Sequence, residues 1–337
     1  MVTHPTSALW TGRHDGAGPQ HARWHEVVTS SDTLRPDDLA AAPDHLGVLG
    51  FCTDEGVRRN NGRVGAAQGP AALRRALAPL ALHGPMATGE VAIRDYSDVV
   101  TEGEALEASQ AAAAAAVTEA LDAAGCRLVV VLGGGHETAW SSYLGLMSSQ
   151  HIRTPGEQSS RWGVLNLDAH FDLRQEPRPT SGTPFLQMAE AEQMAGREPL
   201  NYAVIGIAEP SNTGVLFVQA RRLGVKWMTD MDCAETGTLG IRSFVQEFAA
   251  ELDVLYLTID LDLLPAAVAP GVSAPAALGV APPLVAAAVR AVAETGKLRL
   301  VDVVELNPTL DQDGRTAKAA ARLIDETVRT VFGAGAL

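Results

Sequence analysis

Three apolar runs in this chain end alike, each in groups that bind cations. Arg127-Leu128-Val129-Val130-Val131-Leu132 leads into Gly133-Gly134-Gly135-His136-Glu137. Trp162-Gly163-Val164-Leu165-Asn166-Leu167 leads into Asp168-Ala169-His170-Phe171-Asp172, and Val254-Leu255-Tyr256-Leu257-Thr258-Ile259 into Asp260-Leu261-Asp262. Runs of this length and composition read as buried strands. A strand points alternate side chains the same way, so Asp168, His170 and Asp172 converge if the extended geometry persists past Leu167. Carboxylates with imidazoles form a ligand set for divalent first-row metals. Four aspartates and two histidines suffice for two ions.

Taken singly, each residue has a plainer reading. An Asp after a strand is more often a helix N-cap or turn residue. His136 alone serves equally well as a capping or packing residue. The triple glycine is compatible with a phosphate-cradling loop, but no Gly-Lys-Ser/Thr follows it. Coincidence decides the matter, because all three endings share the edge where open parallel sheets bind ligands.

Segments 46–51, 91–96, 202–207 and 298–306 add further strands. Segments 104–124, 138–149, 212–223, 283–294 and 316–331 read as helices, the first carrying the alanine-rich stretch 111–116. Such alternation predicts a parallel sheet covered by helices on both faces. With 337 residues and 46% apolar content, the chain can build a sizeable core in one large domain or two smaller ones. No repeat or long linker is visible, and 148–161 reads as a loop within a domain.

A formal net charge of -14 argues against nucleic-acid or anionic-membrane partners. The start lacks a basic segment followed by an apolar one, and no window of about 18 apolar residues reads as a membrane span. Cys52, Cys126 and Cys233 are odd in number and far apart, which suits a reducing cytoplasm better than a disulfide scaffold. They form no Cys-x-x-Cys metal pair.

Taken together and in this order, Gly-Gly-Gly-His-Glu at 133–137, Asp-Ala-His-Phe-Asp at 168–172 and Thr-Ile-Asp-Leu-Asp at 258–262 resemble the metal motifs of the arginase-like ureohydrolases. Pro-Gly-Val-Ser-Ala-Pro at 270–275, Asp-Val-Val-Glu-Leu-Asn-Pro at 302–308 and Gly-Arg-Thr-Ala at 314–317 resemble further family segments. Trp-Thr-Gly-Arg-His-Asp at 10–15 and the segment 51–63, Phe-Cys-Thr-Asp-Glu-Gly-Val-Arg-Arg-Asn-Asn-Gly-Arg, are similar to the formimidoylglutamase subgroup. The loop Thr180-Ser181-Gly182-Thr183-Pro184-Phe185 lacks the histidine that arginases carry there, which speaks against arginase activity.

The resemblance implies one arginase-like α/β domain over 1–337, a three-layer αβα sandwich with a central parallel sheet of about eight strands, and residues 1–45 as an N-terminal extension packing on it. It implies two Mn2+ per subunit, with zinc as runner-up. One ion is expected on His136, Asp168, Asp172 and Asp260, and the other on His170, Asp168, Asp260 and Asp262. A water bridging them, its pKa lowered from 15.7 toward about 7, is the expected nucleophile. The implied reaction is hydrolysis of N-formimidoyl-L-glutamate to L-glutamate and formamide, a step of histidine degradation, with Asp172 carrying the proton to the departing nitrogen. A homo-oligomer is also implied.

Glu305, at the end of a strand, reads either as a turn residue or as an acceptor for the cationic amidinium. The substrate's tail is two carboxylates, which call for arginine and its planar fork. Arg174, two residues past Asp172, is the leading candidate. Arg58, Arg59 and Arg63, with Asn60 and Asn61 between them, crowd the loop after the first strand, and Arg13 is a weaker candidate. Agmatinase or another guanidino-acid ureohydrolase is the alternative enzyme. A non-catalytic metal-binding protein on the same fold is the alternative outside enzymes. A deacetylase, needing one catalytic metal, leaves too many ligands over.

Overall fold

The computed structural model describes residues 6–31, 43–152 and 159–333. Its strands are β1 (Val28–Ser30), β2 (His45–Cys52), β3 (Ala92–Val100), β4 (Cys126–Leu132), β5 (Trp162–Leu167), β6 (Asn201–Ile207), β7 (Lys226–Thr229), β8 (Val254–Asp260) and β9 (Leu298–Val304). They form one sheet in the order β1-β3-β2-β4-β9-β8-β5-β6-β7. Every pairing in it is parallel.

The main helices are α1 (Gly69–Leu77), α2 (Leu106–Asp122), α3 (Thr138–Ser148), α4 (Pro184–Met194), α5 (Gly214–Arg222), α6 (Asp230–Ala249), α7 (Pro282–Glu294) and α8 (Arg315–Val331). Buried side chains of α1, α6, α7 and α8 share one apolar cluster with one face of the sheet. Those of α2, α3, α4 and α5 share a second cluster with the other face. Strands covered on both faces need apolar side chains pointing both ways, and every residue of β5 and β8 is buried. This is the expected αβα sandwich, with nine strands among the described residues rather than about eight. The additions are β1 and β7, short edge strands of three and four residues. Residues 28–30 of the N-terminal segment therefore contribute a strand to the sheet. Among the described residues, no helix is long and apolar enough to cross a membrane.

Several boundaries move for local reasons. The strand expected over 298–306 stops at Val304, because Glu305 adopts a left-handed φ of 69°. The helix expected from 212 starts at Gly214, since Thr213 is still extended. The loop read over 148–161 lies partly outside the described residues, and α3 ends within it at Ser148.

His45 opens β2 fully buried, its Nε2 3.1 Å from the Tyr96 hydroxyl and its Nδ1 without a hydrogen-bond partner. Burial, aided by the Arg94 charge, pushes its pKa down to about 4. The unfolded chain therefore takes up this proton first, and stability falls as pH drops from about 6.5 toward 4. Between pH 7 and pH 5 the loss attributable to His45 is about 2 kcal/mol. Urea unfolding at the two pH values checks this, because His45→Gln should remove that part of the slope.

Candidate metal centre

The centre lies across the C-terminal ends of four adjacent strands, β4, β9, β8 and β5. Beyond β4, Gly133 donates its N–H to Val303 O at 2.9 Å, and Glu305 donates its own to Gly134 O at 2.7 Å. His136 follows, its backbone N–H donated to Glu305 Oε1 at 2.9 Å. The ends of β4 and β9 are thus knitted together, and His136 and Glu305 face the same space.

The segment 168–172 converges by a different route from strand alternation. β5 ends at Leu167, and Asp172 has a left-handed φ of 47°. Hydrogen bonds hold the turn. His170 N–H donates to Asp168 Oδ1 at 2.6 Å, and Asn166 Nδ2 donates to Asp168 Oδ2 at 2.9 Å. Asn212, from the segment after β6, staples the loop on its far side. Its Nδ2 donates to Ala169 O (2.8 Å) and Ala208 O (2.9 Å), and its Oδ1 accepts from Phe171 N–H (3.1 Å). At the end of β8, Asp260 Oδ1 accepts from Asp262 N–H at 2.8 Å, opening a short 3-10 turn that presents both carboxylates.

The six side chains meet. His136 Nδ1 lies 3.0 Å from oxygens of Asp172 and Asp260 and 3.2 Å from Asp168. His170 Nδ1 lies 3.0 Å from Asp262 and 3.4 Å from Asp168. Two groups, His136–Asp168–Asp260 and Asp168–His170–Asp262, each have ligand atoms within 4.8 Å of one another and share Asp168.

This donor set fits divalent metals on an observation independent of resemblance. His136 Nε2 is 3.1 Å from the Thr258 hydroxyl, while its buried Nδ1 makes no hydrogen bond despite three carboxylate neighbours. With Nε2 donating to Thr258, the Nδ1 lone pair faces the carboxylates, an arrangement that a metal cation between them satisfies. Electrostatics agree. Burial, then the Asp262 and Asp168 charges, push Asp260 far up. Burial and Asp168 push Asp172 up as well. Burial would lower His136 and His170, but the surrounding carboxylates override it and raise both. Four carboxylates gathered in this largely buried cluster call for positive charge, which divalent cations would supply.

A cavity of about 140 Å³ opens over these groups. His136, His170, Asp172, Asp260, Asp262 and Glu305 form its floor, and Asn60, Arg174, Ser181, Asn212 and Ser273 line its sides. Arg174 is exposed, and no carboxylate lies within ion-pair distance of it among the described residues. Burial, then Glu137 nearby, push Glu305 up to about 8.

The other arginine candidates are placed elsewhere, which corrects the expectation of a crowded cationic wall. Arg58 is bound to Glu55 at 2.6 and 2.7 Å. Arg59 is spent on Glu55 at 2.8 Å, Glu107 at 2.7 Å and the Pro179 carbonyl at 3.1 Å. Arg63 grips the carbonyls of Val272 (2.7 Å) and Ser273 (3.0 Å), fixing the segment 270–275. Asn61 takes a left-handed φ of 59° in an exposed turn. Arg13 is paired with Asp15. Asn60 and Gly62 reach the cavity in their stead. Asn212 and Ser181 were not anticipated, because nothing near them in the chain marks what they touch.

The Arginase family profile matches residues 44–329. The formimidoylglutamase of Nocardia farcinica (strain IFM 10152) is 52% identical over 319 residues, covering 95% of each chain. A crystal structure of formimidoylglutamase from Bacillus subtilis superposes with a TM-score of 0.79 at 20% identity, over 95% of this chain and 93% of that one. Trypanosoma cruzi formiminoglutamase, solved with Mn2+, gives 0.73 at 22% identity, over 97% and 98%.

Proposed function

The chain belongs to the arginase family, and from that membership and its clustered carboxylates and imidazoles we infer that it hydrolyses N-formimidoyl-L-glutamate to L-glutamate and formamide. The observation that carries the metal-dependent reading is the buried His136 Nδ1, faced by three carboxylates and hydrogen-bonded to none. The proposed cofactor is two Mn2+ per subunit. His136, Asp168, Asp172 and Asp260 would hold one ion, and His170, Asp168, Asp260 and Asp262 the other, with Asp168 and Asp260 shared. Oxygen-rich ligation with two imidazoles suits manganese, and the Trypanosoma cruzi relative was solved with it.

The ions, when bound, supply a water acidic enough to act as nucleophile near neutral pH. The chain's own residues do the rest. Glu305 accepts from the cationic amidinium and holds its carbon over the floor, a charge-assisted contact of the strong kind. Asp172, on the cavity floor beside His136, takes the proton of the attacking water and delivers it to the substrate's glutamate nitrogen. Protonation there breaks that carbon–nitrogen bond, so formamide and glutamate leave. Arg174 receives a carboxylate of the substrate tail. Three unpaired cysteines suit a reducing compartment, and a cytoplasmic homo-oligomer is the proposed state.

Incubating the manganese-loaded protein separately with formimidoylglutamate, agmatine and arginine tests the reading. Formamide and glutamate from the first support it, whereas urea from either of the others, with the first untouched, replaces it. Arg174→Ala should raise KM for formimidoylglutamate roughly 10- to 100-fold, the worth of a hydrogen bond to a charged group. Its metal content should stay at the wild-type level, and unchanged kinetics would remove Arg174 from the tail site.

A further inference from the structure

The glycine run after β4 acts as a docking face. A side-chain carbon on Gly134 would collide with the Thr53 carbonyl, and one on Gly135 with the Glu137 carboxyl. Across the seam, one on Gly56 would strike the same carboxyl. The close approach lets Gly135 N–H donate to Thr53 O at 3.0 Å. Glu137 fills the seam as a buried peg, its Oε1 accepting from Thr53 Oγ1 at 3.0 Å and from Gly56 N–H at 2.9 Å. Gln110 Nε2 pins the Glu137 carbonyl at 2.9 Å. Gly56 belongs to the helical turn Glu55–Arg59, which leads directly to Asn60 and Gly62 at the cavity. Asn60 in turn donates to Ser181 Oγ at 3.2 Å.

We infer that Glu137 is a positioning residue that sets the substrate-side wall of the cavity, holding the Thr53–Gly56 segment so that Asn60 and Gly62 meet the substrate. It sits next to a floor histidine, yet the hydrogen bonds of its carboxyl run to Thr53 and Gly56 in the seam and to none of the six clustered side chains. Its effect is therefore on substrate capture rather than on metal holding. This rests on the reading of the cavity as the substrate pocket.

The test uses the full-length manganese-loaded protein and whichever amidine or guanidine the wild type hydrolyses, so failure of the formimidoylglutamate reading shows in the wild type alone. Glu137→Ala should raise KM at least tenfold, leave kcat within about threefold, and keep wild-type metal content by elemental analysis. Glu137→Gln keeps an oxygen for both donors and should stay within about threefold of wild-type KM. Thr53→Val removes one of the two bonds and should fall between them, and it decides the matter if Glu137→Ala does not fold. An unchanged KM in Glu137→Ala overturns the inference. So does metal lost in step with activity, or a glutamine variant as impaired as the alanine one.

Discussion

Asp260→Ala should leave the purified protein with fewer than one tightly held manganese per chain and at least a thousandfold less active. Asp260 is the last residue of β8, and its carboxylate reaches both the His136 nitrogen and the turn presenting Asp262. In the proposed centre Asp260 is shared by both ions, so its removal would take one bond from each and one negative charge from the cluster. Loss of metal charge stabilisation amounts to several kcal/mol in the transition state, hence the size of the rate effect. Elemental analysis and steady-state rates on the same sample check both halves. Thermal unfolding gives a third readout of opposite sign. Without metal, Asp260 is strained by burial and by Asp262 and Asp168. The variant apoprotein should therefore be no less stable than the wild-type apoprotein, while the upward shift in Tm on adding manganese is lost. Full activity in a metal-stripped variant would end the binuclear account.

Arg74→Met should cost about 3–5 kcal/mol of stability without touching the metal ligands. Arg74, on α1, is wholly buried. Its guanidinium takes Asp95 at both oxygens (2.8 Å each) and Asp98 at 2.7 Å. Trp10 adds its indole N–H to Asp95 at 2.7 Å, tying the N-terminal segment to β3. Burial would push Asp95 up, but the Arg74 charge and its paired hydrogen bonds bring it below the usual range. Asp98, with a single guanidinium contact, is pushed up by burial. Methionine fills the volume but strands two acids in the interior, and that stranding carries the cost. Urea unfolding at neutral pH measures it. Adding Asp95→Asn and Asp98→Asn to Arg74→Met should recover much of the loss, because no unpaired charge then remains. A single variant within 1 kcal/mol of wild type would show that water reaches the cluster.

The interior strands were legible because doubly covered strands are written as unbroken apolar runs, as in Val254–Asp260. The edge strands β1 and β7 were not, since three or four residues leave no pattern. Helix α6 was hidden by weak helix formers and by Gly237, whose φ of 61° breaks it into two pieces. The six clustered side chains could be read because each sits within five residues of a strand end. Their convergence rests instead on turns whose hydrogen bonds come from Asn212 and Asn166, which no local pattern announces. The fate of Arg58 and Arg59 had a local signal. Glu55 precedes them by three and four residues, the spacing at which a helical turn pairs charges. Arg63 carried no such signal, because its partners lie in 272–273.

The order of the strands has a consequence for how the protein comes into being. His136, four residues past the end of β4, and its support Thr258, on β8, stand 122 positions apart, with β9 lying between those strands in the sheet. A nascent chain emerging only as far as β6 carries His136, Asp168, His170 and Asp172 but neither of the last two aspartates, and so has no pocket to close on a cation. A metal held by all six side chains would therefore be a clasp fastened last, once the C-terminal strands have slotted into the middle of the sheet. Metal uptake at that centre would report that the chain has been synthesised and threaded home at least through β8.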